Sequence, residues 1–248
     1  MSAPTMPAAR RPVGVAVDRL AKRFGEVEAV AGVSFTAPAG RITGFVGANG
    51  AGKSTTLRML LGLVASDGGD ARFGGTRYRD LPDPSGTVGA VVDLASANPA
   101  MTARGHLRTY ATLGGHPRER VAEVIALTAL ADFADRRIRG YSTGMRQRLA
   151  LATALLGDPD VLVLDEPSNG LDPAGIVWMR SFLRGFADDG GTVLISSHVL
   201  TELQQLVDDV VLIDRGSIRW HGTRTELLEL GGDLETVFFA LTATEASA

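Results

Sequence analysis

The sequence predicts an α/β core carrying an inserted helical subdomain. Three observations carry that expectation. VLVLDE (161–166) and TVLISS (192–197) are short and almost wholly apolar, the pattern of strands buried on both faces. Segments with helical apolar spacing alternate with such runs, as an α/β core requires. Between residues 101 and 157 the spacing is helical, so a helical block interrupts the alternation.

Taken in order, residues 1–12 read as a disordered lead, because MSAPTMPAARRPV has no hydrophobic stretch of the signal-peptide kind. Residues 13–46 read as strands (VGVAVDRLAKRF, EAVAGVSFTAP, RITGFVG), and a helix is expected from Lys53 to Leu63. Residues 64–86, rich in Gly, Asp and Pro, should hold loops and short strands. VGAVV (88–92) suits a buried strand and stops at a carboxylate, Asp93. In the helical block VAEVIALTAL has an amphipathic period, and Met145, Leu149, Ala152 and Leu156 recur at helical spacing. Asp172 and Pro173 form a helix start signal. Ile176, Met179, Leu183 and Phe186 give that helix one apolar face, and Gly190 and Gly191 end it. VVLIDRGSIRWHG reads as a hairpin turning at Arg215 and Gly216. The expected domain runs over 13–230, with a core of 13–92 and 158–230, a helical subdomain at 93–157 and a short tail at 231–248.

Bulk properties narrow the function. The 248 residues suffice for one sizeable domain or a core with a subdomain. A net charge of −3 points toward neither nucleic acid nor an acidic substrate. With no cysteine, disulfides, thiolate metal sites and thiol nucleophiles are excluded. No apolar run reaches the ~18 residues a membrane span needs, so a cytosolic protein is expected, one able to sit on a membrane partner. Of 25 basic residues only Lys22 and Lys53 are lysine, which draws attention to those two positions.

GANGAGKST (47–55) fits G-x-x-x-x-G-K-[ST] between a predicted strand and a predicted helix, the context the motif needs. Gly47, Asn49, Gly50 and Gly52 let the backbone curl so that its N–H groups converge on phosphate oxygens. The helix that follows, opening with Lys53, Ser54 and Thr55, adds its positive N-terminal end. Lys53 is a mobile point charge for the β- and γ-phosphates, and the Ser54 hydroxyl can ligate Mg²⁺. VLVLDEP (161–167) supplies the second half: Asp165 for the metal, through a water, and Glu166 beside the γ-phosphate as general base. YSTGMRQRLALATALL (141–156) opens a helix with Ser142 and Gly144 at its mouth and Arg146 and Arg148 in its first turns. This reads either as an anion-binding helix N-terminus or as a Ser-capped helix with a basic face.

The order GANGAGKST, YSTGMRQRLA, VLVLDEP, SNGLDP and SSH resembles the ATP-binding subunit of an ABC transporter, from about Val13 to Leu241. The resemblance implies a P-loop NTPase (RecA-like) core with an antiparallel β subdomain and an inserted α-helical subdomain. It also implies a head-to-tail homodimer with two ATPs between the subunits, each capped by the partner's signature helix. Here that cap corresponds to Ser142, Thr143, Gly144 and Met145, where the family usually has Leu-Ser-Gly-Gly-Gln. Tyr141, Thr143 and Met145 depart from the pattern, and Met145 lacks the amide. SNGLDP would cross the dimer interface with Asp172 fixing its turn, a role compatible with capping the next helix. His198 corresponds to the family's switch histidine on the γ-phosphate, and Phe24 to the aromatic that stacks on adenine, although Phe24 fits a core position equally well. The short chain, TAR at 102–104 and the tail DLETVFFAL look like the daunorubicin- and bacitracin-resistance type of bacterial exporter ATPase. That subgroup implies an integral membrane permease encoded separately, a peripheral site on the inner face of the cell membrane, and export of a drug-like, lipid-like or peptide substrate.

By the same resemblance Asp93 falls where the family has its coupling loop, usually with a glutamine. A carboxylate accepts hydrogen bonds but cannot donate them. It attracts Mg²⁺ and repels the γ-phosphate and Glu166; at ~6 Å and effective ε ~20 one such like-charge pair costs about 3 kcal/mol. An exposed loop acid or helix cap is the alternative for Asp93. Other phosphate-loop classes fit less well. A GTPase should carry N-K-x-D, which is absent. Soluble ABC-type ATPases with non-transport roles usually carry two nucleotide domains or long coiled-coil insertions, and a regulator with little turnover sits poorly with intact Lys53, Asp165, Glu166 and His198.

Overall fold

The computed structural model describes residues 10–92 and 97–243. Two sheets form the scaffold. β1 (Val15–Phe24), β2 (Val27–Ala37) and β4 (Gly68–Phe73) make an antiparallel sheet in the order β2-β1-β4. The second has six strands. β3 (Ile42–Val46), β5 (Val88–Val91), β6 (Val161–Asp165), β7 (Thr192–Ser197), β8 (Asp209–Asp214) and β9 (Ser217–Thr223) lie in the order β5-β6-β7-β3-β8-β9. All neighbours are parallel except β8 and β9, the hairpin that turns at Arg215 and Gly216. The parallel and antiparallel sheets with helices bear out the predicted α/β class.

The apolar runs in the sequence follow from two cores sharing one sheet. Successive strand residues point to opposite faces. Leu162, Leu164, Val193 and Ile195 enter a core with the helices, while Val161, Val163 and Leu194 enter a core with the antiparallel sheet. Both faces are therefore apolar, and β3 and β7 are buried along their whole length. β1 departs from strict alternation: Val15 and Val17 are buried, then Leu20, because Arg19 sits at φ 45° in a bulge that returns the next apolar residue to the core.

α1 (Lys53–Leu60) is shorter than the sequence suggested. It closes at Gly62, whose N–H reaches the Met59 carbonyl while the Leu63 N–H reaches that of Arg58, a Schellman stop that leaves Leu63 exposed. A short turn of helix, α2 (Pro84–Thr87), leads into β5. The predicted helical block is built of three α-helices: α3 (Ala103–Leu113), α4 (Glu119–Leu127) and α5 (Thr143–Ala154). Leu107, Val124, Leu130, Leu149 and Ala152 pack them together. α6 (Pro173–Asp188) carries the predicted face, with Met179, Leu183 and Phe186 buried and Ile176 half-buried. α7 (Leu200–Leu203), α8 (Arg224–Gly231) and α9 (Leu234–Ala243) complete the chain, and Leu234 and Val237 tie α9 to the helical core. Of the expected lead, residues 1–9 lie outside the described residues, whereas Arg11 is held by Asp160 at 2.8 Å.

Candidate functional site

Three neighbouring strands, β6, β7 and β3, deliver the predicted site residues at their carboxyl ends, where open α/β sheets place their ligand sites. After β3 the loop GANGAGK curls tightly. A Cβ on Gly47 would stand 2.2 Å from the Ile213 carbonyl oxygen. Gly52 has φ 108°, and a Cβ there would stand 2.6 Å from the Ala29 carbonyl oxygen. Asn49 and Gly50 form the exposed tip. α1 starts at Lys53 without any side-chain cap, so the positive end of the helix is left to an outside anion. Ser54 and Thr55 are half-buried in its first turn. Gly52→Ala is expected to destabilise the fold by about 2–3 kcal/mol through the backbone clash and the strained φ. Thermal unfolding should show a Tm several degrees lower; an unchanged Tm would refute the steric account.

Lys53 is 5% exposed and folds back over the loop. Its Nζ donates to the carbonyls of Gly47 at 2.7 Å and Ala48 at 3.2 Å, and lies 3.2 Å from Glu166 Oε1. Glu166 Oε1 is buried and makes no hydrogen bond, so the contact with Lys53 is an ion pair only. The other oxygen, Oε2, is 2.8 Å from His198 Nδ1 and 3.3 Å from the His198 N–H. Glu166 adopts φ 50°, unusual for a side chain of its size. His198 sits just past β7 in a turn held by Ser197, whose hydroxyl accepts the Val199 N–H at 2.9 Å. Asp165 ends β6, and its Oδ1 accepts a hydrogen bond from the Ser196 hydroxyl at 2.5 Å. Ser196 was not singled out from the sequence. The only signal was a serine pair ending an apolar strand.

A second cluster lies at the start of α5. Ser142 caps it, its Oγ accepting the Met145 N–H at 3.3 Å, and the Ser142 N–H points at the Met145 sulfur at 3.4 Å. Met145 thus stands in for the usual Glu or Gln partner of a capping box. Thr143 rests on the SNGLDP loop: a Cβ on Gly170, which has φ 73°, would stand 2.8 Å from the Thr143 methyl. Gly144 faces Leu171. Asp172 caps α6 by accepting the Gly175 N–H at 2.7 Å. The loop returns to Glu166, whose carbonyl accepts the Asn169 N–H at 3.1 Å. Arg148 differs from the anion-binding expectation. Its guanidinium stacks 3.7 Å from the Trp178 ring and donates to the Thr128 carbonyl, and burial pulls its pKa below the usual guanidinium range against the opposing pull of Asp172.

The family described as ABC transporter matches residues 30–169, more than half of the chain. This chain belongs to the ABC transporter family. The matched span of the ABC cassette holds the phosphate loop, Ser142 to Met145, Asp165 and Glu166; Phe24, Asp172 and His198 lie outside it. The relatives are named as transport, export or resistance ATP-binding proteins. The chain is 38% identical over 202 residues to the bacitracin transport ATP-binding protein BcrA of Bacillus licheniformis, covering 80% of this chain and 66% of that protein. It is 37% identical over 233 residues to the Nod factor export ATP-binding protein I of Ralstonia nicotianae, covering 90% and 72%. It is 39% identical over 213 residues to the daunorubicin/doxorubicin resistance ATP-binding protein DrrA of Streptomyces peucetius, covering 84% and 64%. The chain therefore spans about two thirds of the length of these relatives. Among solved structures, an ATP-binding subunit of an ABC transporter superposes with a TM-score of 0.82 at 24% identity over 92% of this chain and 99% of that one. A dimeric ATP-binding cassette bound to ADP and Pi in a post-hydrolysis state gives 0.76 at 22% over 85% and 98%. At these identities the likeness is one of fold.

Within this ABC cassette the structure brings Lys53, Glu166 and His198 into contact, and joins Asp165 to Glu166 through Ser196. It brings Thr143 and Gly144 onto the SNGLDP loop. Phe24 stands apart at the end of β1, 51% exposed, with Lys22 Nζ 5.4 Å from its ring centre. The core alternative for Phe24 is thereby removed. Asp93, two residues past β5, lies outside the described residues.

Proposed function

We propose that this ABC cassette binds ATP with Mg²⁺ on its phosphate loop, hydrolyses it within a head-to-tail homodimer, and powers a separate membrane permease that exports a drug-like, lipid-like or peptide substrate. The observation that carries the reading is the meeting of Lys53, Glu166 and His198 beside an uncapped helix N-terminus, with Asp165 one residue away. The loop N–H groups from Gly47 to Thr55 and Lys53 would hold the phosphates, and exposed Phe24 would stack on the adenine. Glu166 would take the proton of the attacking water, and His198, already hydrogen-bonded to it, would fix the water and the γ-phosphate.

The residues present suit Mg²⁺. Among the described residues no three of His, Cys, Asp and Glu form a metal cage, and Mg²⁺ needs none, since it takes one or two protein oxygens together with phosphates and water. Ser54 Oγ would be one such donor, and the second Asp165 oxygen would reach the ion through a water. The ion would neutralise charge that develops on the phosphates. Ser142 to Met145 would cap the partner subunit's ATP, with Asp172 and its loop at the same interface. Closure follows because γ-phosphate contacts form only in the closed dimer. The helical subdomain, 93–157, would carry that motion from the core, 13–92 and 158–230, to the permease, with Asp93 in the coupling loop. The cassette would work at the inner face of the cell membrane as a peripheral subunit. Nucleic acid is not a proposed partner at a net charge of −3.

The test is phosphate release from Mg²⁺-ATP by the purified chain, alone and with the membrane protein that co-purifies with it. Turnover stimulated by that protein is expected. ATP binding with no turnover under either condition would leave a regulatory role instead.

A further inference from the structure

We infer that Ser196 is a positioning residue for hydrolysis: its hydroxyl sets both carboxylates of the Asp165–Glu166 pair. The inference rests on the ATPase reading above. Ser196 is fully buried, at 0% exposure, on β7, directly opposite Asp165 in the β6–β7 register. Its Oγ accepts the Glu166 N–H at 2.9 Å and donates to Asp165 Oδ1 at 2.5 Å. A hydroxyl has one proton to give, so the direction is fixed. The proton goes to the carboxylate, and the backbone N–H enters a lone pair.

The two bonds do different work. In a strand that simply continued, Asp165 and Glu166 would face opposite sides of the sheet. Glu166 instead sits at φ 50°, a left-handed conformation that a non-glycine residue holds only when its surroundings impose it. The bond from its N–H to Ser196 anchors that turn, and the turn sends the side chain toward Lys53 and His198. The second bond engages Asp165 Oδ1 and so fixes the carboxylate plane. Among the described residues Oδ2 makes no hydrogen bond, which leaves it as the oxygen presented to a metal. One buried hydroxyl thus relates the metal-side acid, the general base and, just past the end of its own strand, His198. Burial alone does not require this geometry, since any single partner would satisfy a serine.

The experiment compares Ser196→Ala and Ser196→Thr with the unaltered chain. Steady-state ATP turnover, Mg²⁺ titration of the rate, equilibrium binding of a fluorescent ATP analogue and Tm are all measured. Ser196→Ala is expected to lower kcat about 10- to 100-fold, as misplacing a reacting group by an ångström does. KM for ATP and analogue affinity should stay within about threefold, and half-saturating Mg²⁺ should rise. Ser196→Thr keeps the oxygen and should recover most of kcat. A Ser196→Ala kcat within twofold of the unaltered chain overturns the inference. So does a loss in kcat that tracks a fall in Tm and in ATP affinity and that threonine does not relieve. Absence of turnover in the unaltered chain would bring down the ATPase reading itself, and is seen before any variant is compared.

Discussion

Glu166→Gln is expected to lower the turnover number by about 10²- to 10⁴-fold, the range general-base catalysis supplies, while leaving ATP binding intact or tighter. Glutamine has the same shape and keeps an oxygen for His198, so the contact now seen between Oε2 and Nδ1 can persist. What it loses is the ability to take a proton from water. It also loses the negative charge that a γ-phosphate would face, so the closed, ATP-bound dimer should last longer. Single-turnover hydrolysis and size-exclusion chromatography in Mg²⁺-ATP separate these effects. A slow chemical step with a dimer peak is the expected pair of results. Wild-type hydrolysis by Glu166→Gln would falsify the assignment of the base.

The parts of this site that were legible in the sequence are those where backbone geometry forces a residue type. GANGAGKS could be read because a Cβ on either Gly47 or Gly52 would stand within 2.6 Å of a carbonyl oxygen, leaving no room for a side chain. VLVLD and TVLIS could be read because strands lying between two cores must be apolar on both faces. Asp172 was legible for a similar reason, since a cap before proline at a helix start uses a short-range hydrogen bond.

Contacts set by tertiary packing were not legible. Nothing near Arg148 in sequence announces Trp178, which lies on another helix, so the sequence leaves the segment open between an anion-binding helix mouth and a capped helix with a basic face. The bulge at Arg19 shifts the inward face of β1 by one residue with no glycine or proline in β1 itself; the glycine that accommodates it, Gly69, lies on the neighbouring β4. The break between α3 and α4 is marked by Gly114, Gly115 and Pro117, whereas apolar periodicity identifies the block without its internal boundaries. Thr143 was a departure from a family pattern in sequence. In the fold it becomes half of a contact, because the residue it meets, Gly170, has no side chain to oppose it. Ser196 was hidden for the opposite reason: a serine in a buried strand gives no signal until its partners are in place.

Lys53→Met should weaken ATP binding about 10- to 100-fold, the worth of a lost charge-assisted contact or two. It should also destabilise the protein. Glu166 Oε1 is buried, makes no hydrogen bond, and has Lys53 as its counter-charge at 3.2 Å. Removing that partner leaves a carboxylate with one of its oxygens uncompensated. The full penalty for breaking a buried pair is about 3–5 kcal/mol; with the Glu166 side chain 18% exposed, about 1–3 kcal/mol is the reasonable share. Lys53→Arg is not a mild alternative, because a planar guanidinium cannot occupy the pocket from which Nζ reaches the Gly47 and Ala48 carbonyls. The two consequences separate in the double variant Lys53→Met, Glu166→Gln. Glutamine removes the stranded charge, so Tm should return most of the way, while ATP affinity should stay low because the phosphate contact is still missing. Thermal unfolding and nucleotide titration on the same four proteins form a double-mutant cycle. A Tm loss undiminished in the double variant would assign it to packing around the lysine stem. ATP affinity regained there would mean that Lys53 serves Glu166 rather than the phosphates.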